Sequence, residues 1–214
     1  MKVRILESIL SANDGVATAN RRLLDSRAVY CINLMASPGA GKTTFILAMA
    51  RHLGGRLRMG VIEADLASRV DADKVAAAGL PVLQINTDGG CHLNAPQVTA
   101  ALETMPLDDI DLLIIENVGN LVCTAGYDLG EHLKLVLASV PEGDDKPYKY
   151  PNMFGVVQAV VVTKTDLKPY IPFSSTEFAK ALRGINPDAP LFELSATTGE
   201  GLDRWCEWLV KRLG

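Results

Sequence analysis

The sequence predicts an α/β domain built on a mostly parallel, doubly wound sheet, with an N-terminal helical extension. Three observations carry this expectation. Short apolar runs of strand length recur along the chain, helix-like segments separate them, and the first run stops abruptly at the glycine-rich "SPGAGKTT" (37–44). Strands that are apolar throughout belong to a sheet covered on both faces, because alternation appears only where one face meets water. The 214 residues and 48% hydrophobic content suffice for one buried core and are short for two.

Residues 1–27 carry apolar side chains at helix-like spacing (Ile5, Ile9, Val16, Leu23, Leu24), with a break expected at Asp14-Gly15. They form the extension; 28–214 form the main domain. "AVYCINLMA" (28–36) is the first strand, and "TTFILAMARHLG" (43–54) a helix stopped by Gly54-Gly55. "RMGVIEADL" (58–66) and "LPVLQINT" (80–87) are strands on either side of the helical "DADKVAAAG" (71–79). The helical "APQVTAALETM" (95–105) follows, then the strands "DLLIIENVG" (111–119) and "LKLVLASV" (133–140). "PEGDDKPYKYPNMF" (141–154), with three prolines and mixed charge, reads as an exposed excursion before the strand "GVVQAVVVTKTDL" (155–167). "SSTEFAKALRGINP" (174–187) is a helix with Ser174 or Ser175 as its N-cap, and "APLFELSA" (189–196) the last strand. The final helix places Leu202, Trp205, Cys206, Leu209, Val210 and Leu213 on one stripe of period 3.6.

Composition narrows the function classes. A net charge of -4 and a pI near 5.4 disfavour a nucleic-acid-binding surface. No apolar run approaches the roughly 18 residues of a membrane span, and Glu7 and Asn13 interrupt the N-terminus before a secretory signal could develop. Four cysteines are too sparse for a disulfide scaffold, which points to a reducing, cytoplasmic setting; with the charge and the apolar runs, no membrane or nucleic-acid partner is expected.

"ASPGAGKTT" (36–44) meets the phosphate-loop pattern G-x-x-x-x-G-K-[ST] with Ala36 at the first glycine position. Gly39, Ala40 and Gly41 would let backbone N–H groups face phosphate oxygens, helped by the start of the next helix at Thr43-Thr44. Lys42 would offer a charge to the β and γ oxygens, and Thr43 a hydroxyl to Mg²⁺. The motif lies between a predicted strand and a predicted helix, so the domain is expected to be of the P-loop NTPase type.

"TKTD" (163–166) at a later strand end suits guanine. Asp166 would accept from the ring N1–H and exocyclic amine, while Lys164 packs along the base. Adenine would leave that carboxylate facing a lone pair. In "SATTGEG" (195–201), Ser195 and Ala196 would place a backbone N–H at guanine O6. Asp65, ending "VIEAD", is the candidate Mg²⁺ or switch acid, and Glu116 in "ENVG" a carboxylate behind it that orients water; both fall where open α/β sheets collect ligands. Either acid could instead cap the next helix. Lys42, Asp65 and Glu116 are thus the candidate catalytic groups, and Arg69 a weak arginine-finger candidate.

Cys91 and His92 stand side by side in "GGCHLNA" (89–95), and thiolate with imidazole is the pair that borderline-soft cations prefer. Cys123 in "NLVC" is a possible third ligand from a neighbouring strand end. Cysteine is equally a small buried hydrophobe, so metal binding and simple packing both remain open on spacing alone. Cys31 and Cys206 take the packing reading, and His52 and His132 are expected in helical segments without partners.

Taken in order, the phosphate loop, "GCHLNA", "ENVGNLVC" and "TKTD" resemble the HypB family of hydrogenase nickel-incorporation GTPases, metal-binding P-loop GTPases of the dimerising class. The resemblance runs from about residue 8 to the C-terminus. It implies the GTPase sheet, binding of GTP and GDP with Mg²⁺, and slow hydrolysis of GTP to GDP and phosphate. It further implies Ni²⁺ or Zn²⁺ on Cys91, His92 and Cys123 near a GTP-dependent homodimer interface. The implied partners are a small zinc- or nickel-binding accessory chaperone and the hydrogenase large-subunit precursor. Asn94 stands where the family often has Asp, Thr163 where Asn is usual, and Thr197 where a lysine is; residues 1–27 hold neither Cys nor His. The competing readings are a sister metallochaperone GTPase for urease or a cobalamin enzyme, a P-loop small-molecule kinase with a structural zinc, and a metal-binding module whose nucleotide only controls assembly.

Overall fold

The computed structural model describes residues 9–65 and 68–213, with side chains from Ser11 onward. The start of the predicted extension, Ile5 included, and Leu66 lie outside the described residues, as does the side chain of Ile9. The chain runs α1 (Ile9–Ser26), β1 (Tyr30–Ala36), α2 (Lys42–Leu53), β2 (Met59–Asp65), α3 (Val70–Ala77) and β3 (Val82–Asn86). It continues through α4 (Ala95–Leu102), β4 (Leu112–Glu116), β5 (Leu133–Ser139), α5 (Lys146–Lys149), α6 (Pro151–Val156) and β6 (Ala159–Thr163). It ends with α7 (Ser175–Ile185), β7 (Leu191–Glu193) and α8 (Leu202–Leu213).

The seven strands form one sheet in the order β3-β2-β4-β1-β5-β6-β7, and every neighbouring pair is parallel. This is the predicted doubly wound architecture. Alternate residues of each strand feed the two faces. Ile32 and Leu34 of β1 pack with Phe45 and Met49 of α2, Val75 of α3, and Trp205 and Leu209 of α8. Cys31 lies on the opposite face with Leu24 of α1 and Val98 of α4. Met35 packs there too, beside Phe154 of α6 and Phe178 of α7. Cys31 and Cys206 are buried core residues, as expected.

Three expectations need correction. The first helix does not break at Asp14-Gly15 but runs unbroken through it. A helical glycine costs only about 1 kcal/mol, and the docking of the neighbouring turns outweighs that. The docked stripe of α1 is Asn13, Ala17, Asn20 and Leu24, all buried, and its asparagines do the fastening. Asn13 Nδ2 donates to the Asp128 carbonyl (2.7 Å) and its Oδ1 accepts from Ala95 N (2.8 Å). Asn20 Nδ2 donates to the carbonyls of Ala95 and Leu129, 3.0 Å each.

The second correction concerns 141–154, which is no exposed excursion. Its prolines start the short helices α5 and α6, and Pro147, Met153 and Phe154 are buried against the sheet. The third concerns the histidines. His52 does lie on α2 but sits 3.3 Å from Asp203 Oδ1. His132 immediately precedes β5, where Nδ1 accepts from Cys31 N (3.0 Å) and Nε2 lies 2.8 Å from Asp25 Oδ1. Burial lowers the His132 pKa from its ordinary value, with the Arg21 charge adding to the effect and Asp25 opposing it.

Two outcomes follow from this packing. Gly130 adopts φ +93, and a Cβ there would lie 2.6 Å from both the Ala17 carbonyl oxygen and Asn20 Cβ. Gly130→Ala should cost roughly 2–4 kcal/mol, the sum of overpacking and left-handed strain, in chemical denaturation. His132 has a lowered folded pKa, so its contribution to stability is complete above the unfolded value near 6.5 and is lost as pH falls below it. Protonating Nδ1 would also remove the acceptor for Cys31 N–H. His132→Asn keeps an acceptor but cannot titrate, and it should flatten the stability-pH slope below pH 6.5.

Candidate nucleotide and metal sites

The phosphate loop leaves β1 at Ala36 and enters α2 at Lys42. Gly41 takes φ 95 as the N-cap, and no side chain caps the helix. Its first N–H groups are therefore available to an anion, with the positive end of the helix dipole behind them. The loop separates two cavities.

The first cavity, about 280 Å³, is lined by Ala40, Gly41, Thr44, Thr163, Lys164, Asp166, Leu167, Ala196 and Thr197. Three of the predicted base contacts, Lys164, Asp166 and Ala196, thus meet in one place. Lys164 holds a left-handed backbone (φ 60), and its Nζ donates to the Gly39 carbonyl at 2.7 Å, bridging this cavity to the loop. Thr163 Oγ1 donates to the Ala40 carbonyl at 2.8 Å, so the residue that departs from the family pattern ties its strand to the phosphate loop. Ser195 is fully buried and shapes its own turn, its Oγ accepting from Thr198 N at 3.1 Å.

The second cavity, about 250 Å³, is lined by Pro38, Gly39, Lys42, Glu63, Ala64, Asp65, Asp71, Glu116, Val118 and Gly119. Thr43 Oγ1 donates to Glu116 Oε1 (3.0 Å), and Lys42 Nζ lies 3.8 Å from the same oxygen. The Oε2 atoms of Glu116 and Glu63 are buried without hydrogen-bond partners. Burial drives Glu116 up to about 7, against the opposing pull of Lys42 and Thr43. Burial likewise drives Glu63 up to about 8, with the charges of Glu116 and Asp65 adding to it. Asp65 Oδ1 accepts from Ser68 N at 3.0 Å. Arg69 is on the surface, 3.5 Å from Asp73.

Sequence reasoning passed over Glu63. Its signal was an acid inside the apolar run "VIEAD", at a position the sheet buries. The cavity's donor set, a hydroxyl with buried carboxylate oxygens lacking partners, suits a hard divalent cation such as Mg²⁺.

The third group of residues lies beyond these cavities. The ligand atoms of Cys91, His92 and Cys123 all fall within 4.8 Å of one another, although they come from the β3–α4 loop and the turn after β4. Cys91 Sγ is 3.4 Å from His92 Nδ1. The His92 ring stacks on Tyr127 with centroids 3.9 Å apart, and burial lowers its pKa, favouring the neutral imidazole that ligates metals. A hydrogen bond donated to Cys123, then burial, raises the Cys91 thiol. Asn120 Oδ1 accepts from Val122 N (2.6 Å) and Cys123 N (3.1 Å), an Asx turn that presents the second thiol. Asn94 caps α4 reciprocally with Gln97, each side chain accepting at 3.0 Å from the other's backbone N–H.

Residues 30–193 match the CobW/HypB/UreG nucleotide-binding domain family. Over 209 residues the chain is 42% identical to the hydrogenase maturation factor HypB of Escherichia coli (strain K12), spanning 96% of this chain and 72% of that one. It is 37% identical over 214 residues to the hydrogenase/urease maturation factor HypB of Helicobacter pylori (strain ATCC 700392 / 26695), spanning 98% and 88%. The crystal structure of HypB from Helicobacter pylori in complex with nickel superposes with a TM-score of 0.91 at 35% identity, covering 94% of this chain and 95% of that one.

If the first cavity takes guanine as the sequence predicts, one outcome follows directly. Asp166→Ala should weaken GTP binding by roughly 100-fold, the loss of two charge-assisted hydrogen bonds, while leaving ATP binding nearly unchanged. Competition of both nucleotides against a fluorescent GDP measures it, and an equal loss for ATP would remove Asp166 from base recognition.

Proposed function

Because the chain belongs to the CobW/HypB/UreG family, we propose that it is a GTP-hydrolysing metallochaperone. In this reading it carries nickel, or zinc, on Cys91, His92 and Cys123 and assists nickel insertion during maturation of nickel–iron hydrogenase. The single observation that supports this most is the convergence of two thiols and an imidazole within 4.8 Å. They meet at the far end of a segment, 116–123, that begins in the phosphate cavity. The names of the relatives add the hydrogenase and the nickel.

Guanine would lie against Asp166, Lys164 and Ala196, with the phosphates along Gly39–Thr44. Thr43 and Asp65 would hold Mg²⁺, with Glu116 behind, and the ion when bound supplies positive charge to the phosphate oxygens. Glu116 now engages both Lys42 and Thr43, so nucleotide entry has to draw these two groups off the carboxylate. Water then attacks the γ-phosphorus, the bond to the β–γ bridging oxygen breaks, and GDP and phosphate leave. Lys42 and the loop amides stabilise the charge that spreads over the transferring group. Lys42 is the one cation lining this cavity among the described residues, which fits slow turnover suited to timing.

The neutral His92 and the paired thiols form a borderline-soft donor set for the cargo, with one tetrahedral position left for water or a second subunit. A GTP-dependent homodimer, a small zinc- or nickel-binding accessory chaperone and the hydrogenase large-subunit precursor complete the proposed cycle in the cytoplasm. Among the described residues no helix is long and apolar enough to cross a membrane. The hydrogenase/urease name of the Helicobacter pylori relative favours a second reading in which urease is also served.

Single-turnover phosphate release separates the readings: release from GTP alone supports hydrolysis as written, whereas preference for ATP or no release rejects it. Nickel and zinc titrations with GDP or a non-hydrolysable GTP analogue should give different affinities in the two states. Cys123→Ser should weaken either metal by at least about tenfold, and unchanged binding would exclude Cys123 as a ligand.

A further inference from the structure

The end of β4, where Glu116 lines the nucleotide cavity, is tied to the metal loop by a buried chain of side-chain amides that runs through Asn117, the residue after Glu116. Asn117 is 1% exposed. Its Oδ1 accepts from Val118 N at 2.9 Å and from Leu93 N at 3.3 Å. Leu93 directly follows His92, so this second bond fastens the metal loop to the end of β4. Asn117 Nδ2 donates to Asn33 Oδ1 at 3.1 Å, and Asn33 Nδ2 donates to Glu131 Oε1, also at 3.1 Å.

Glu131 sets the polarity of the whole chain. Its Oε2 accepts from Leu129 N at 2.7 Å and Lys134 lies 3.6 Å from Oε1, so both oxygens act as acceptors. Asn33 must then turn its NH₂ toward Glu131 and its oxygen toward Asn117. Asn117 must in turn offer its NH₂ to Asn33 and keep its oxygen for Leu93. Each amide has one orientation that leaves no buried polar atom unpaired, and reversing one costs a desolvated group at every link.

We infer that Asn117 is a positioning residue that transmits the state of the phosphate cavity to Cys91 and His92 through the Leu93 amide. The inference rests on the function proposed above. Glu116, its neighbour, is held by the same Lys42 and Thr43 that a nucleotide would recruit. Two residues further on, a Cβ at Gly119 would lie 3.1 Å from Pro38 N, Cα and Cγ, so the phosphate loop and this segment are already in contact. Rearrangement at either point moves the backbone at 117. The Asn120 turn carries that displacement to Cys123, and Asn117 carries it to the other two ligands. Both arms of the metal site therefore hang from one short segment.

Asn117→Asp puts a carboxylate against Asn33 Oδ1 and breaks the polarity of the chain. Adding Glu131→Gln restores it with reversed sense: the new amide donates to Asn33 Oδ1, and Asn33 Nδ2 donates to the introduced carboxylate. Leu93 N keeps an acceptor throughout. The measurement is the ratio of Ni²⁺ or Zn²⁺ dissociation constants with GDP and with a non-hydrolysable GTP analogue. The ratio should fall toward one in Asn117→Asp and Asn117→Ala and recover in the Asn117→Asp/Glu131→Gln double variant. A merely structural role would change melting temperature without moving the ratio. Amide hydrogen exchange in the unmodified protein supplies the check that needs no variant: protection of Leu93 N–H should differ between the two nucleotide states. Single variants that keep the wild-type ratio, or equal Leu93 protection in both states, overturn the inference. A wild-type ratio of one overturns the coupling reading beneath it, and this inference with it.

Discussion

The insertion of β4 between β1 and β2 sets Glu116 level with Leu34 on one side and Glu63 on the other. That register is the constraint on which the carboxyl edge of the sheet depends. It delivers Glu116 beside the start of the phosphate-loop helix, and the chain leaving β4 passes along that loop. A Cβ at Gly119 would sit in tight 3.1 Å contact with Pro38. The connection then turns at Asn120 and reaches the β3–α4 loop, where Cys123 meets Cys91 and His92. A β4 at the sheet's edge would have left the same motifs in the chain and separated them in space.

The electrostatic consequence is a cavity that is poorly neutralised by protein alone. Glu63 and Glu116 share one face of adjacent strands, both buried, each with an oxygen that has no partner. Burying a carboxylate costs several kcal/mol unless charge or hydrogen bonds compensate. Lys42 and Thr43 offset part of that for Glu116; Glu63 has the opposite problem, because the nearby charges of Glu116 and Asp65 add to its desolvation. The raised pKa values are the visible residue of this imbalance. A bound cation would relieve both acids, and a phosphate would draw Lys42 off Glu116. Ligand affinity and local strain in this cavity are thus two descriptions of the same uncompensated burial.

Periodicity made the sheet legible, because parallel strands covered on both faces read as largely apolar runs, even where Asn33, Glu63 and Lys134 interrupt them. The same rule hid the docking face of α1. That face is written in asparagines, which hydrophobic patterning treats as solvent residues, and Asn13 and Asn20 are buried only because the carbonyls of Ala95, Asp128 and Leu129 receive them. It hid 141–154 as well, where proline and charge signal a loop while Met153 and Phe154 supply the core contact. At the candidate sites, glycine-rich and Cys-His strings announced themselves, since few other needs produce them. Glu63, Asn33 and Asn117 did not, because a lone polar residue in or just after a strand carries no sign of what the neighbouring strand sets beside it.

The departures from the family pattern can be argued from the same geometry. Asn94 accepts from Gln97 N at 3.0 Å and caps α4, a task that Asn and Asp perform about equally. The substitution therefore leaves the loop geometry behind His92 intact while removing a charge from its neighbourhood. Its effect on a metal would be electrostatic and not architectural. Thr163 is the converse case. Its hydroxyl reaches the Ala40 carbonyl at 2.8 Å, so β6 remains tied to the phosphate loop and the Asp166 carboxylate stays in the base cavity. What a shorter hydroxyl gives up is the second hydrogen-bonding group of an amide, which could have engaged the loop and a neighbouring turn together. Lys164 adds a second tie, its ammonium donating to the Gly39 carbonyl at 2.7 Å. Thr163 and Lys164 are adjacent residues that each donate to a phosphate-loop carbonyl, so the end of β6 is fastened to that loop twice.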